Sequence, residues 1–200
     1  MKPISAALYL LFFFQSCSDA EVKNDSSANV KTAPKDSVIG VTQAGTVDTM
    51  KKSISAIAAN KIDGADVSVK YHSPAVRNRV IWGGLVPYGQ VWVTGAHQAT
   101  ALECNSDFVF GDKLIPAGKY ALFTIPGKDE WTVILNRNWK QHLTDEYNEA
   151  DDVARLTVKP REAAHQERLR YTVEPTGEKK FSINMQWERV MLSVQGEVKN

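Results

Sequence analysis

The stretch KYALFTIPGKDEWTVILN, residues 119–136, decides the fold of this chain. Apolar side chains alternate with period two before the turn PGKD, residues 126–129, and Trp131, Val133 and Leu135 repeat the alternation after it. Both faces of the two runs are largely apolar, which is typical of central strands that are covered on both sides. The stretch therefore predicts a β-hairpin at the centre of a two-layered structure.

The same period continues on both sides of this hairpin. Val67, Val69 and Tyr71 alternate with polar residues until Pro74, and further short apolar runs separated by Gly- and Pro-containing turns cover residues 80–82, 91–94, 99–104 and 108–110. No helix of ordinary length fits between these runs, which argues against a parallel βαβ sheet. We therefore expect an all-β domain over residues 66–198, either an antiparallel β-sandwich or a jelly-roll-like barrel.

The C-terminal part follows the same rule. Apolar residues alternate strictly over residues 181–187 and again over residues 190–194, which predicts a final hairpin or a bent strand pair. At most one or two short helices are expected, over residues 139–148 and 160–168.

The first 16 residues are typical of a secretory signal, because Lys2 precedes an apolar run over residues 4–14 that is too short to span a bilayer. A small residue directly precedes Cys17, as in bacterial lipoprotein processing sites. We expect lipidation at Cys17, export across the inner membrane, and a lipid anchor in the bacterial cell envelope, on the periplasmic or outer-membrane face. The alternative is an ordinary cleaved signal in which Cys17 has no role.

The segment that follows is polar. Residues 17–46 are rich in Ser, Asp, Asn, Lys and Thr and contain no aromatic residue, so we expect a flexible tether. Apolar residues between Val47 and Ile57 recur at helical spacing. Residues 47–65 are therefore expected to form a short amphipathic helix and a linker.

Charge and cysteine content restrict the function. The chain has 24 Lys and Arg residues against 23 Asp and Glu residues, and removal of the leader with Lys2 leaves it formally neutral. Without a positive field we expect no nucleic-acid partner, so any ligand must be recognised by local groups. Cys104 has no adjacent histidine and is expected to be a buried small residue rather than a nucleophile.

Two blocks of the chain resemble a bacterial family, domain of unknown function 2911. They are LVPYGQVWVTGAHQAT, residues 85–100, and LIPAGKYALFTIPGKDEWTVILN, residues 114–136. The likeness covers residues 66–194. It implies a secreted or lipid-anchored all-β domain, and the family carries no established reaction.

The chain departs from the family pattern at three positions. Family members commonly have Arg, Asn and Glu where this chain has Val93, His97 and Gln98. If the Arg and Glu form an ion pair, losing both together leaves no unpaired charge. The replacement can then preserve stability while altering the recognition of a ligand.

The segment with these departures is the main candidate for a ligand site. Gly95 and Ala96 permit a close backbone approach, and loops at one end of a sandwich often bind ligands. The residues expected to contact a small polar ligand, with a saccharide as a candidate class, are Tyr88, Trp92, Thr94, Gln98, Thr100, Arg79 and Lys119. The alternative is a tight turn whose polar side chains satisfy only local backbone groups.

His97 is the candidate catalytic residue, since an imidazole can act as acid or base near neutral pH. The sequence has no nucleophile elbow, phosphate loop, dinucleotide fingerprint or zincin helix, and its four histidines lack the spacing of a zinc site, so we expect no metal and no cofactor. A metal site using His97, and a glycosidase-like carboxylate pair drawn from Glu103, Asp151, Asp152 and Glu188, are weaker alternatives.

Three functions follow from these features. The first is an envelope-anchored lipoprotein whose β-sandwich binds a small polar ligand through residues 88–100. The second is a small hydrolase, lyase or isomerase that uses His97, and the third is a structural partner in an envelope complex.

Trp131 and Trp187 are expected in the core, whereas Trp92 and Trp139 are the tryptophans expected to be exposed.

Overall fold

The chain is built almost entirely from β-strands, as its alternating patterns predict. A computed structural model describes residues 52–199. The strands are β1 (Ile54–Ile62), β2 (Ala65–Ser73), β3 (Ala101–Cys104), β4 (Asp107–Phe110), β5 (Lys113–Ile115), β6 (Gly118–Ile125), β7 (Trp131–Asn136), β8 (Asp152–Val158), β9 (Arg161–Pro175) and β10 (Lys180–Lys199), with a 3-10 turn at Glu149–Asp151.

These strands form two antiparallel sheets. The larger has six strands in the order β1-β2-β3-β6-β7-β8, and the smaller has four in the order β5-β4-β10-β9. The sheets do not close into a barrel. Of the two predicted architectures, the sandwich is therefore the correct one.

The central hairpin forms β6 and β7, with Leu122 opposite Leu135. These two leucines face the core shared by both sheets. On the other face, Ala121, Phe123 and Ile134 form a second cluster, here called the outer cluster, beneath the segments 91–99 and 137–148. Both faces of the hairpin are apolar because both are covered.

The shared core is filled by large side chains from both sheets. Val67 and Val69 of β2 pack in the same buried cluster as Phe108 of β4 and Phe181 of β10. Each fully buried side chain of this size contributes about 1.5–3 kcal/mol to stability. Cys104 also lies in this core, as predicted, and burial raises the pKa of its thiol.

Strand β10 doubles back on itself. The backbone N–H of Val198, near the end of the strand, donates over 2.8 Å to the carbonyl of Lys179, which directly precedes its start. The chain reverses near Glu188, whose φ of 54° lies in the left-handed region. The predicted final hairpin is therefore present within one continuous strand.

The helix expected within residues 47–65 is wrong where the structure describes the chain. Residues 54–62 form β1, which pairs with β2 along its whole length. The helical spacing relied on isoleucines, but Ile57 is exposed and the strand instead buries Ala56, Ala58 and Ile62. The sandwich therefore begins at Ile54 rather than at residue 66, and residues 1–51, which include the predicted signal, Cys17 and tether, lie outside the described part.

The other expected helices are also wrong. Residues 139–148 form turns, and residues 160–168 belong mainly to β9, which pairs with β10. The pairing with β10 overrides the local pattern of residues 160–168. The runs at 80–82 and 91–94 make only isolated bridges.

Candidate functional site

The segment of residues 91–100 contributes to two cavities. Gln98 and Ala99 line one of about 320 Å³, here called the side groove, together with Lys70, His72, Lys119, Trp139 and Lys140. Trp92, Val93, Gly95 and Ala96 line another of about 380 Å³, here called the end cleft, together with Lys52, Arg77, Arg79, Leu85 and Leu143. Four of the seven predicted ligand residues are thus divided between two cavities: Gln98 and Lys119 line the side groove, whereas Trp92 and Arg79 line the end cleft.

Two side chains of this segment, those of Thr94 and Thr100, are buried. Thr94 Oγ1 donates to the carbonyl of Trp92 over 3.1 Å and lies 3.0 Å from Thr124 Oγ1. Thr100 Oγ1 donates to the carbonyl of Thr94 over 3.0 Å, as does the Tyr171 hydroxyl. The prediction that Thr94 and Thr100 contact a ligand is therefore corrected, because their hydroxyls hold the segment in place.

A glycine is required in the middle of the segment. A Cβ on Gly95 would lie 2.7 Å from Thr100 Oγ1. From the sequence, this glycine is expected to permit a close backbone approach at a ligand site. In the structure, the close neighbour is the protein itself.

The floor of the side groove comes from the outer face of the six-stranded sheet. In β2, Val69 and Tyr71 point into the core, so the alternate residues Lys70 and His72 lie on the outer face. Lys119, at the start of β6, lies two strands away on the same face. The sheet therefore brings three basic side chains from distant parts of the sequence to one surface.

The second wall of the groove is the segment 137–148. The Tyr147 hydroxyl donates to Asp152 Oδ2 over 2.9 Å, and its ring packs edge-to-face against Phe123 at 5.3 Å. Burial, together with the hydrogen bond to Asp152, raises the pKa of Tyr147 to about 12. The N–H of Leu143 also donates to the carbonyl of His97 over 2.6 Å. The two segments that border the groove are thus fastened to each other and to the sheet.

The side groove is positively charged. Lys119 Nζ lies 3.3 Å from Glu103 Oε2 and 4.3 Å from the centre of the Trp139 ring. Lys140 Nζ lies 5.1 Å from the same ring. Within residues 52–199, neither Lys70 nor Lys140 has a carboxylate at ion-pair distance. Among the described residues, Glu103 is thus the only carboxylate paired with any of the three groove lysines, Lys70, Lys119 and Lys140.

His72 responds to this charge. Burial lowers the pKa of its imidazole, and the positive charges of His97 and Lys70 lower it further. The rings of His72 and His97 lie 5.4 Å apart in an edge-to-face arrangement. A negatively charged ligand in the groove would oppose these charges and favour the protonated imidazole.

His97 itself is exposed, and its ring makes no hydrogen bond to any described residue. A general acid or base is usually oriented by a second group. Glu103 is paired with Lys119, and Asp152 with Arg155 and Tyr147. In the described part of the chain, no group of three His, Cys, Asp or Glu residues is placed to hold a metal ion.

The end cleft lies beside a cluster of four tryptophans, Trp82, Trp92, Trp131 and Trp187. Trp92 stacks on Trp187 with ring centres 5.8 Å apart, and Trp82 meets Trp131 edge-to-face at 4.8 Å. Trp131 and Trp187 are buried, as predicted, whereas Trp92 and Trp139 are half-buried. The buried indole N–H groups of Trp82 and Trp187 have no hydrogen-bond acceptor among the described residues. The two rings meet edge-to-face, so the edge of one indole lies against the aromatic face of the other.

The rim of the end cleft is held by Arg79. Its Nη2 donates to the carbonyl of Ala75 over 2.6 Å, and its Nε to the carbonyl of Val76 over 3.1 Å. Tyr88 lines neither cavity. It is 40% exposed, and a Cβ on Gly83 would lie 2.9 Å from its ring.

The side groove also contains residues that were not predicted as ligand contacts, among them Ser55, Lys70, His72, Trp139 and Lys140. The signal for Lys70 and His72 was present, because they alternate with core residues of β2. Their meeting with residues 139–140 depends on the tertiary placement of the segment 137–148, which no local pattern predicts.

The described residues contain no helix with the length and apolar character needed to cross a bilayer. Comparison with curated proteins and with solved structures gives no match. A family model described as "Protein of unknown function (DUF2911)" matches residues 53–195, which is most of the chain and nearly all of the sandwich. The resemblance found in the sequence is thus confirmed, and the chain belongs to the DUF2911 family.

Proposed function

We propose that the domain is a non-catalytic binding module that holds a small, negatively charged polar ligand in the side groove. The supporting observation is that Lys70, Lys119 and Lys140 line one cavity in which Glu103 is the only carboxylate paired with them among the described residues. An anion entering the groove gains favourable interactions with Lys70 and Lys119 on the sheet and with Lys140 on the opposite wall.

An acidic saccharide is the ligand class that fits best. Gln98 offers an amide that both donates and accepts, and Ser55 adds a hydroxyl. The half-buried indole of Trp139 supplies apolar surface for the carbon side of a sugar ring. A cavity of about 320 Å³ is within the usual range for small ligands.

The protein is proposed to act at the bacterial cell envelope, held by a lipid on Cys17. The apolar run ahead of Cys17 and the polar composition of residues 17–46 support this placement. After a high-salt wash, which weakens electrostatic contacts with the membrane surface, the chain should stay in the membrane fraction when Cys17 is intact, and the Cys17→Ser form should be released. Equal membrane association of both forms would contradict the lipid anchor.

Isothermal titration with glucuronate, and with glucose as its uncharged counterpart, tests the groove. We expect binding of glucuronate and at least about tenfold weaker binding to the double variant Lys70→Gln/Lys140→Gln, because each charged contact contributes on the order of 1 kcal/mol. Lys128→Gln is the matched control, since Lys128 is an exposed lysine in the β6–β7 turn. Equal affinity for glucuronate and glucose, or an equal loss in the control, would contradict an anion site.

A further inference from the structure

The end of the sandwich that carries the end cleft presents an apolar loop tip to solvent. Val80 is 75% exposed, Leu85 47% and Tyr88 40%, although all three belong to one tightly folded loop. Leu143, 38% exposed, lines the same cleft as Leu85. These four residues are here called the tip patch. They are four of the six large apolar side chains that are exposed in the described part of the chain.

The loop holds these side chains outward by its own packing. Ile81 and Val86 are buried beneath it, and the N–H of Leu85 donates to the carbonyl of Val80 over 3.0 Å. The two buried residues fix the loop on the sandwich, so Val80 and Leu85 cannot turn inward. Exposed apolar groups on a rigid support are typical of an interaction surface rather than of a disordered end.

Basic residues lie beside the tip patch. Lys52, Arg77 and Arg79 line the end cleft together with Leu85 and Leu143, and none of the described residues that line it is acidic. Arg79 is fixed at the rim by its two carbonyl contacts. Glu167 lies beside this rim, where its Oε1 accepts from the backbone N–H of Arg77 over 2.9 Å. Exposed apolar side chains beside a cluster of cations match the boundary between headgroups and acyl chains in an anionic bilayer.

The place where the described residues begin also favours a membrane surface as the partner. The described residues begin at Lys52, which lies on the end cleft, so the N-terminal region that carries the predicted lipid joins the domain at this end. The predicted flexible tether, residues 17–46, would not by itself fix the orientation of the domain on a membrane. A second contact on the same end of the sandwich would do so.

We propose that the tip patch docks on an anionic phospholipid surface. Val80 and Leu85 enter the interface while Lys52, Arg77 and Arg79 contact the headgroups. This assignment is independent of the side groove and of any ligand held there.

Flotation with lipid vesicles tests the docking. The chain from Ser18 to Asn200, which has no leader and no Cys17, is mixed with vesicles of phosphatidylcholine alone or with one-third phosphatidylglycerol. We expect binding to the anionic vesicles, at least about fivefold weaker binding after Val80→Ser/Leu85→Ser, and a similar loss after Lys52→Gln/Arg77→Gln. Leu114→Ser is the matched control, since Leu114 is 63% exposed on β5 and does not line the end cleft.

Each other outcome overturns the proposal. Equal binding to both vesicle types, or an equal loss in Leu114→Ser, shows that the tip patch does not recognise an anionic membrane. If Val80→Ser/Leu85→Ser converts a dimer to a monomer in gel filtration without changing flotation, the surface is an interface between copies of the chain. Unchanged thermal midpoints establish that the variants fold, and Lys70→Gln/Lys140→Gln should float like the parent chain, which separates this test from that of the side groove.

Discussion

The position of His72 on the sheet is predictable from the sequence only in part. It lies on the outer face of β2 because its neighbours in sequence, Tyr71 and Ser73, face inward and are buried. That placement was predictable from the alternation alone. Its proximity to His97 was not, because the two residues meet only through the fold of the segment 91–100.

The stability of the domain should depend on pH through His72. Because its pKa in the folded chain is lowered from the ordinary value of 6.5, the unfolded chain takes up a proton first as the pH falls. The stabilisation is therefore complete above pH 6.5 and is lost as the pH falls through the lowered pKa. Urea unfolding should show a smaller loss of stability for His72→Gln than for the parent chain over this range.

Titration of the histidine rings by NMR checks the cause. His97→Gln should raise the pKa of His72, because one of the neighbouring positive charges is removed. His142→Gln is the control, since His142 is paired with Asp145 at 3.1 Å. An unchanged pKa of His72 after His97→Gln would contradict the electrostatic coupling between the two rings.

At the scale of elements, alternation with period two predicted strands well and helical spacing predicted helices poorly. The residues of β6, β7 and the two halves of β10 were identified because large side chains mark their buried faces. β1 was missed because its buried positions are mainly alanines, which a search for large apolar residues passes over. No strand was predicted for β9, and its first half was expected to be helical, because that half is stabilised by pairing with β10 rather than by apolar residues of its own.

The doubled strand β10 depends on a glycine opposite an aromatic ring. A Cβ on Gly196 would lie 2.3 Å from the Phe181 ring, which is fully buried. Gly196→Ala should therefore lower the free energy of unfolding by about 1–3 kcal/mol, as overpacking of a core does. Chemical denaturation measures the change.

Gly177→Ala is the matched control, because its Cβ would meet Lys180 at an ordinary distance of 3.5 Å. We expect a change within about 0.5 kcal/mol there. In the double variant Gly196→Ala/Phe181→Leu, the smaller side chain should recover part of the loss. Simple additivity of the two changes would argue against a direct clash.

At the scale of the whole molecule, the sandwich is closed at one side by contacts between its two sheets. Asn60 Nδ2 on β1 donates to the carbonyl of Val173 on β9 over 3.2 Å, and Ser73 Oγ on β2 donates to the carbonyl of Leu169 over 2.6 Å. The sequence predicts the two layers but not these hydrogen bonds between the sheets, because they join residues about a hundred positions apart. The same limit explains why the candidate site was found as a segment rather than as two cavities.

The corrected boundary of the domain can be tested by truncation. A chain that begins at Asp66 lacks β1 and the first residue of β2, which leaves the edge of β2 unpaired and removes four buried residues from the core, Ala56, Ala58, Ile62 and Ala65. Its thermal midpoint should fall by at least about 10 °C relative to a chain that begins at Lys52. Equal midpoints in differential scanning calorimetry would show that β1 is dispensable.

The tryptophan cluster has a consequence for optical spectroscopy. Four of the five indoles of the chain lie with ring centres 4.8–5.8 Å from a neighbour, close enough for their electronic transitions to couple. An exciton couplet should then overlie the weak far-ultraviolet dichroism of the strands, so strand content read from that spectrum alone would be distorted. Trp139 stands apart from the cluster beside the groove lysines, so its absorption and emission can be followed separately from those of the other four.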